Sequence, residues 1–238
     1  VTGPRFSGTR LLLVEDNELN REIAVELLST SGLIIDVAGD GRQALQMLEL
    51  QTYDGVLMDC MMPLMDGYEA TRRIRAQKRF AQLPVIAMTA NVLPEDRARC
   101  IDSGMNDHIG KPLDLEKALV TISRWVGHRD RVSDCALATD PAAGDQPGQV
   151  SLPDLPGIDT RQGLEIAGGK SGFYCRMLQR FRALKSDFES TFREACTDPD
   201  PEAATRAAHS LKGVAGHIGA RQLADAAEAL ESACLRDQ

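Results

Sequence analysis

The segment Val56-Leu57-Met58-Asp59-Cys60-Met61-Met62-Pro63-Leu64-Met65-Asp66-Gly67 opens with an apolar run, preceded by Gly55, that stops on a carboxylate at Asp59. A short apolar run without polar alternation suits a strand buried on both faces, as in a parallel sheet. Four other runs read the same way: Leu11-Leu12-Leu13-Val14, Leu33-Ile34-Ile35-Asp36-Val37, Val85-Ile86-Ala87-Met88 and the weaker Asp107-His108-Ile109. Between and after them, amphipathic spacing predicts helices over residues 19–30, 42–50, 68–76, 95–102 and 115–126. Five strands, each followed by a helix, predict a doubly wound α/β domain with a five-stranded parallel sheet.

Composition narrows the class. The 238 residues are 43% hydrophobic and 26% charged, which is the balance of a soluble globular chain of one or two domains. A net charge of −8 disfavours nucleic-acid binding, which needs a basic face to meet phosphates. No apolar run reaches the roughly 18 residues of a membrane span, so direct membrane contact is not expected. Starting at Val1 without a leader segment, the sequence reads as a piece of a longer protein whose membrane anchor, if any, lies outside it. Cys60, Cys100, Cys135, Cys175, Cys196 and Cys234 are scattered singly, which suits reduced thiols in a cytoplasmic chain.

In open parallel sheets, ligands bind outside the carboxyl ends of the strands. The polar residues at those ends are Glu15-Asp16, Asp59, Thr89 and Lys111. Two like charges about 4 Å apart repel by about 4 kcal/mol at an effective dielectric near 20. Lys111 offsets part of this, and a hard divalent cation offsets more. Mg²⁺ suits a site with few carboxylates, several waters and phosphate oxygens. One Asp at a strand end is commonly just a helix cap, but placement on four different strand ends is harder to explain that way.

With Leu13-Val14-Glu15-Asp16-Asn17, the segment from Val56 to Gly67, Met88-Thr89-Ala90 and Gly110-Lys111-Pro112, residues 10–127 resemble the receiver domains of bacterial response regulators. The resemblance implies the flavodoxin-like strand order. It also implies that Glu15, Asp16, Asp59 and the carbonyl of Met61 hold Mg²⁺, and that Asp59 accepts phosphate. Lys111 would pair with the phosphoryl oxygens. Thr89 would bond to them and move, and Ala90 would leave the acceptor accessible. His108 stands where the family usually has an aromatic switch residue, so its role stays open between switching and packing. His128 reads as exposed.

Beyond this domain, residues 132–160 contain no Lys or Arg but five Asp and four Pro, the composition of a flexible acidic linker. The expected boundaries are 5–128 for the first domain, 129–158 for the linker and 159–238 for the second domain. After Gly157 three stripes at helical spacing predict an antiparallel bundle: Phe173 to Phe188, Ala204 to Ile218, and Leu223 to Cys234. Three long helices are one short of a four-helix bundle, so the bundle is expected to lack its last helix.

On the second of these helices His209 lies about 160° from Leu211 and is expected to face solvent. Gly213 and Gly216 follow along its face with Lys212 beside it. Each interior Gly costs about 1 kcal/mol relative to Ala, so two suggest a surface cleared for the close approach of a protein. His209-x-x-Lys212-Gly213 with Gly216 and Gly219-Ala220 resembles the histidine phosphotransfer (HPt) domain, with His209 as the phosphorylated residue. His217, where that family more often has Asn or Ser, is expected to make a flanking contact.

Together the two resemblances match the C-terminal part of a hybrid sensor histidine kinase. Phosphate would pass from an upstream histidine kinase domain to Asp59, then to His209, then to a separate response-regulator receiver. No kinase ATP-binding segments are present. A phosphatase using Asp59 as nucleophile would need a second Asp two residues on, where Met61 stands. A third reading makes the helical domain a regulated partner with an inert His209.

Overall fold

The computed structural model describes residue 6 and residues 8–89, 94–126 and 153–236. Five strands alternate with five helices along the first half. These are β1 (Arg10–Val14), α1 (Glu18–Ser29), β2 (Ile34–Ala38), α2 (Gly41–Leu50), β3 (Gly55–Asp59), α3 (Gly67–Arg75), β4 (Val85–Thr89), α4 (Pro94–Asp102), β5 (Asp107–Gly110) and α5 (Leu115–Trp125). A 3₁₀ turn at Lys78–Phe80 intervenes before β4. Each span lies within one residue of that expected from the sequence.

All pairings are parallel and the strand order is β2-β1-β3-β4-β5. β3 and β4 are buried along their whole length, as their unbroken apolar runs require. The chain reverses direction across the sheet between β1 and β3, which opens the crevice where such folds hold ligands. Side-chain caps start α1, α2, α3 and α5. Asn17 accepts from the Asn20 N–H at 3.0 Å, and Asp66 accepts from the Glu69 N–H at 2.6 Å. Gly67 is required by close packing, because a Cβ there would lie 2.1 Å from the Asp59 carbonyl oxygen.

The second half is helical: α6 (Thr160–Ile166), α7 (Ser171–Lys185), α8 (Phe188–Ala195), α9 (Ala203–His217) and α10 (Arg221–Arg236). The stripe from Phe173 to Phe188 was expected to be one helix, and the structure divides it at Ser186-Asp187. Short polar side chains there compete for backbone hydrogen bonds, and Phe188 stacks on Phe192 within α8 at 5.7 Å. The short Asp159–Ala167 segment also forms a true helix, capped by Asp159. At the end of α9, Gly219 has φ +80°. Its N–H bonds to the Gly216 carbonyl and the Ala220 N–H to that of Ala215, a Schellman turn that sends α10 back along α9.

The two halves share a core. One continuous apolar cluster joins Leu19, Ile23, Leu27, Ile109 and Leu113 to Phe173, Tyr174, Met177, Val214, Ala215 and Ile218. The Tyr174 hydroxyl donates to the Ile218 carbonyl at 2.8 Å. Most of the linker expected at 129–158 lies outside the described residues, as do Ala90, His128 and Cys135. Among the described residues no helix is long and apolar enough to cross a membrane.

Candidate functional site

At the β1–β3 crevice, one carboxylate oxygen from each of Glu15, Asp16 and Asp59 comes within 4.8 Å of the others. Glu15 and Asp59 are 2% and 1% exposed. The Lys111 ammonium donates to Glu15 Oε2 and Asp59 Oδ2, each at 2.7 Å. Burial pushes the Glu15 carboxyl up, and Asp59 pushes it further against the pull of Lys111 and Asn20. Asp16 is raised too, by burial and then by Glu15. Burial works against the Lys111 charge, but Asp59 and Glu15 outweigh it and hold the ammonium above the ordinary lysine value. Three carboxylates and one ammonium leave this pocket net negative, and the donors are hard oxygens, so the residues fit a small divalent cation. The Met61 N–H donates to Asp59 Oδ1 at 3.3 Å and holds the following loop against the pocket.

The helical half supplies an imidazole. His209 Nδ1 stands 2.7 Å from Glu231 Oε1 on α10. A carboxylate only accepts, so Nδ1 carries the proton and a neutral ring keeps its lone pair on Nε2. Burial opposes the Glu231 charge, but His209 and Lys212 prevail and hold this carboxyl below its ordinary value. His209 Nε2 and Asn20 Oδ1 are the buried side-chain polar atoms without a hydrogen-bond partner among the described residues. The ring is thus oriented by Glu231 with its Nε2 bare.

The fold brings these two sites together. His209, Thr205, Arg206 and Glu231 share the wall of a cavity of about 140 Å³ with Cys60, Met61, Asp66 and Thr89. His209 was expected to face solvent, but it is only 8% exposed. A helical wheel shows which face points away from the helix's own bundle, not what covers it. The cover is the α/β half of the same chain. A Cβ on Gly213 would lie 3.3 Å from the Asn20 side chain, and one on Gly216 would lie 3.5 Å from Pro112. The cleared glycine face therefore admits a domain closely, as its cost implied.

Other contacts span the junction. The Asn17 amide donates to Ser210 Oγ at 2.5 Å. The Leu113 N–H donates to His217 Nε2 at 3.0 Å, while His217 Nδ1–H donates to the Gly213 carbonyl at 2.8 Å. His217 thus makes the flanking contact expected of it. Burial, helped by Lys111, pushes its pKa down to about 4. Lys212 bonds to Glu228 at 2.8 Å and lies 3.4 Å from Glu231. His108 lies apart from His209. Its Nδ1 is 3.7 Å from Asp107 Oδ1, and it lines a groove with Lys117 and Arg124 between β5 and α5. Glu231, Asn20 and Ser210 escaped the sequence reading. Glu231 is 22 residues from His209, and nothing local marks it as that ring's partner.

The response regulator receiver domain model matches residues 11–123 and the Hpt domain model matches residues 176–238. The sensor protein GacS of Pseudomonas syringae pv. syringae is 29% identical over 97% of this chain, which covers 25% of that protein. The aerobic respiration control sensor protein ArcB of Escherichia coli K12 is 30% identical over 93% of the chain, covering 27% of that protein. The chain thus spans about a quarter of the length of these relatives. Among solved structures, the magnesium-bound receiver domain of the sensor histidine kinase PA1611 from Pseudomonas aeruginosa PAO1 is 42% identical. That match covers 50% of this chain and 98% of the other, with a TM-score of 0.48. By its sequence matches and its fold, the chain is a response regulator receiver domain followed by an Hpt domain, arranged as in hybrid sensor histidine kinases.

Proposed function

We propose that this two-component phosphorelay module moves a phosphoryl group from Asp59 to His209. The observation that carries the reading is the bare His209 Nε2 in one cavity with Thr89 and with Met61, whose N–H donates to Asp59 Oδ1. In the loading step a carboxylate oxygen of Asp59 attacks the phosphorus of a phosphohistidine on an upstream histidine kinase domain. The N–P bond breaks and an acyl phosphate forms. In the second step the lone pair of His209 Nε2 attacks that phosphorus, an N–P bond forms, and the acyl O–P bond breaks to restore the carboxylate. A separate response-regulator receiver then takes the group from His209.

Both linkages are high in energy, so the transfer depends on alignment and charge shielding more than on driving force. Glu231 fixes the tautomer that leaves Nε2 nucleophilic, as the third residue does in other activated-base arrangements. Lys111 follows the charge on the travelling group. Mg²⁺, held by Glu15, Asp16, Asp59 and the Met61 carbonyl, would supply further neutralisation of the phosphoryl oxygens. Thr89, which lines the cavity, is placed to bond to the phosphoryl group; His108 would respond through β5.

The test is labelling by a phosphorylated kinase domain with Mg²⁺. The intact chain should carry acid-labile phosphate on His209. Asp59→Asn should abolish that label, and His209→Gln should leave Asp59 loaded for longer. Equal labelling of His209 without Asp59 would reverse the proposed order. A phosphatase would instead turn over phosphate monoesters, and the chain should not.

A further inference from the structure

Deepening the relay reading and resting on it, we propose that α7 and α1 form an electrostatic clasp that selects this chain's own receiver domain as the donor to His209. Glu18, Glu22 and Glu26 stand one turn apart on α1 and make a single acidic stripe. The Arg180 guanidinium forks across two of them, with Nη2 2.9 Å from Glu18 Oε1 and Nη1 2.6 Å from Glu22 Oε1. Lys170, just before α7, reaches Glu26 at 2.9 Å. Three acidic positions thus meet cations from the start and the middle of one helix, and none of these residues belongs to the carboxylate pocket.

The clasp lies at the rim, with its side chains 40–55% exposed. Pairs of this kind add little affinity but favour one partner and penalise a surface of the wrong sign. That suits a contact that must form and release. The helical half walls the cavity over Met61 and Thr89 beside the strand end of Asp59, so docking of an upstream kinase there requires that half to lift away. Because both halves belong to one chain, His209 then returns at a rate that does not depend on protein concentration. A foreign receiver without an acidic row on its first helix would lose the clasp as well as the tether. The matched helices therefore belong to transfer within one polypeptide, and the downstream receiver meets His209 once the clasp is open.

Complementation decides this. The intact chain, loaded with acetyl phosphate and Mg²⁺, should label His209 at a rate independent of protein concentration. A mixture of Asp59→Asn and His209→Gln chains at micromolar concentration should be slower by at least about tenfold. Arg180→Glu in the intact chain should slow labelling by about fivefold and expose α1 amides to hydrogen exchange. Adding Glu18→Arg and Glu22→Arg should restore both. A mixture as fast as the intact chain, or a charge reversal that changes neither readout, or a swap that fails to rescue, overturns the proposal. If Asp59 loads but no arm labels His209, the relay reading fails, while the exchange data still judge the clasp.

Discussion

Asp59 sits in a ladder of charge, with Lys111 bridging it to Glu15 at 2.7 Å on each side and Asp16 close by. His209 bonds to one carboxylate, Glu231, and among the described residues its other nitrogen has no hydrogen-bond partner. The first site is assembled from four strand ends and must manage an excess of negative charge. The second is one helix face and one carboxylate, and it must keep one ring nitrogen available. On the proposed reading, the contrast is between two ways of making a phosphoryl acceptor. A carboxylate is already nucleophilic and needs its repulsion managed, whereas an imidazole needs its tautomer fixed.

Each side of that contrast can be broken separately. The largest effect should come from Lys111→Met, which leaves Glu15 and Asp59 adjacent and uncompensated. Removing one member of a buried ion pair costs about 3–5 kcal/mol. Urea melts at pH 7 should show a loss of that order in the absence of metal and a substantial recovery on adding Mg²⁺. A variant as stable as the parent, or one indifferent to Mg²⁺, would show that the pocket does not depend on charge balance.

The junction between the sites should respond to pH through His217. Unfolded, this imidazole binds its proton near pH 6.5; folded, it does so only near 4. Between those values the unfolded chain holds more protons, so stability falls as pH drops from 6.5 to 4, by about 3 kcal/mol in all. His217→Gln keeps an acceptor for the Leu113 N–H without a titrating group. Its stability curve should lack that part of the slope, and an unchanged slope would assign it to the carboxylates.

On the histidine side, Glu231→Ala frees the ring to adopt either tautomer and leaves Nδ1 without its acceptor. Residues that orient a reactive group in this way commonly contribute about 10–100-fold, and the rate of His209 labelling should fall within that range while loading of Asp59 is unchanged. Glu231→Gln still accepts from Nδ1–H and should retain most of the rate. The smallest effects belong to the glycine face. Gly216→Ala meets Pro112 at ordinary contact distance and should raise stability by up to about 1 kcal/mol. Gly213→Ala gains the same helix propensity but crowds Asn20, so its transfer should slow by a few fold. Equal transfer rates in the two variants would show that the close approach at Gly213 is dispensable.

The α/β half was legible because its signals are local. Each strand is a short apolar run, four of the helices start at side-chain caps, and parallel topology carries Glu15, Asp16, Asp59, Thr89 and Lys111 to one edge once the strand order is known. The break at Ser186-Asp187 was not legible, because the apolar spacing runs through it and only competition from short polar side chains ends the helix. Likewise, the glycines beside His209 signalled that something approaches closely, but not what.

The sequence by itself therefore singled out the residues proposed to bear phosphate and the surface kept clear, since residue type and periodicity are properties of the chain. Only the tertiary structure decided that His209 is buried rather than exposed and that Glu231 holds its Nδ1. It alone showed His217 bonded to the Leu113 N–H and α7 set against the acidic row of α1. These are pairings between residues 22 to 162 positions apart. Such contacts arise from how packed faces meet in space, and no local pattern of side chains encodes that meeting.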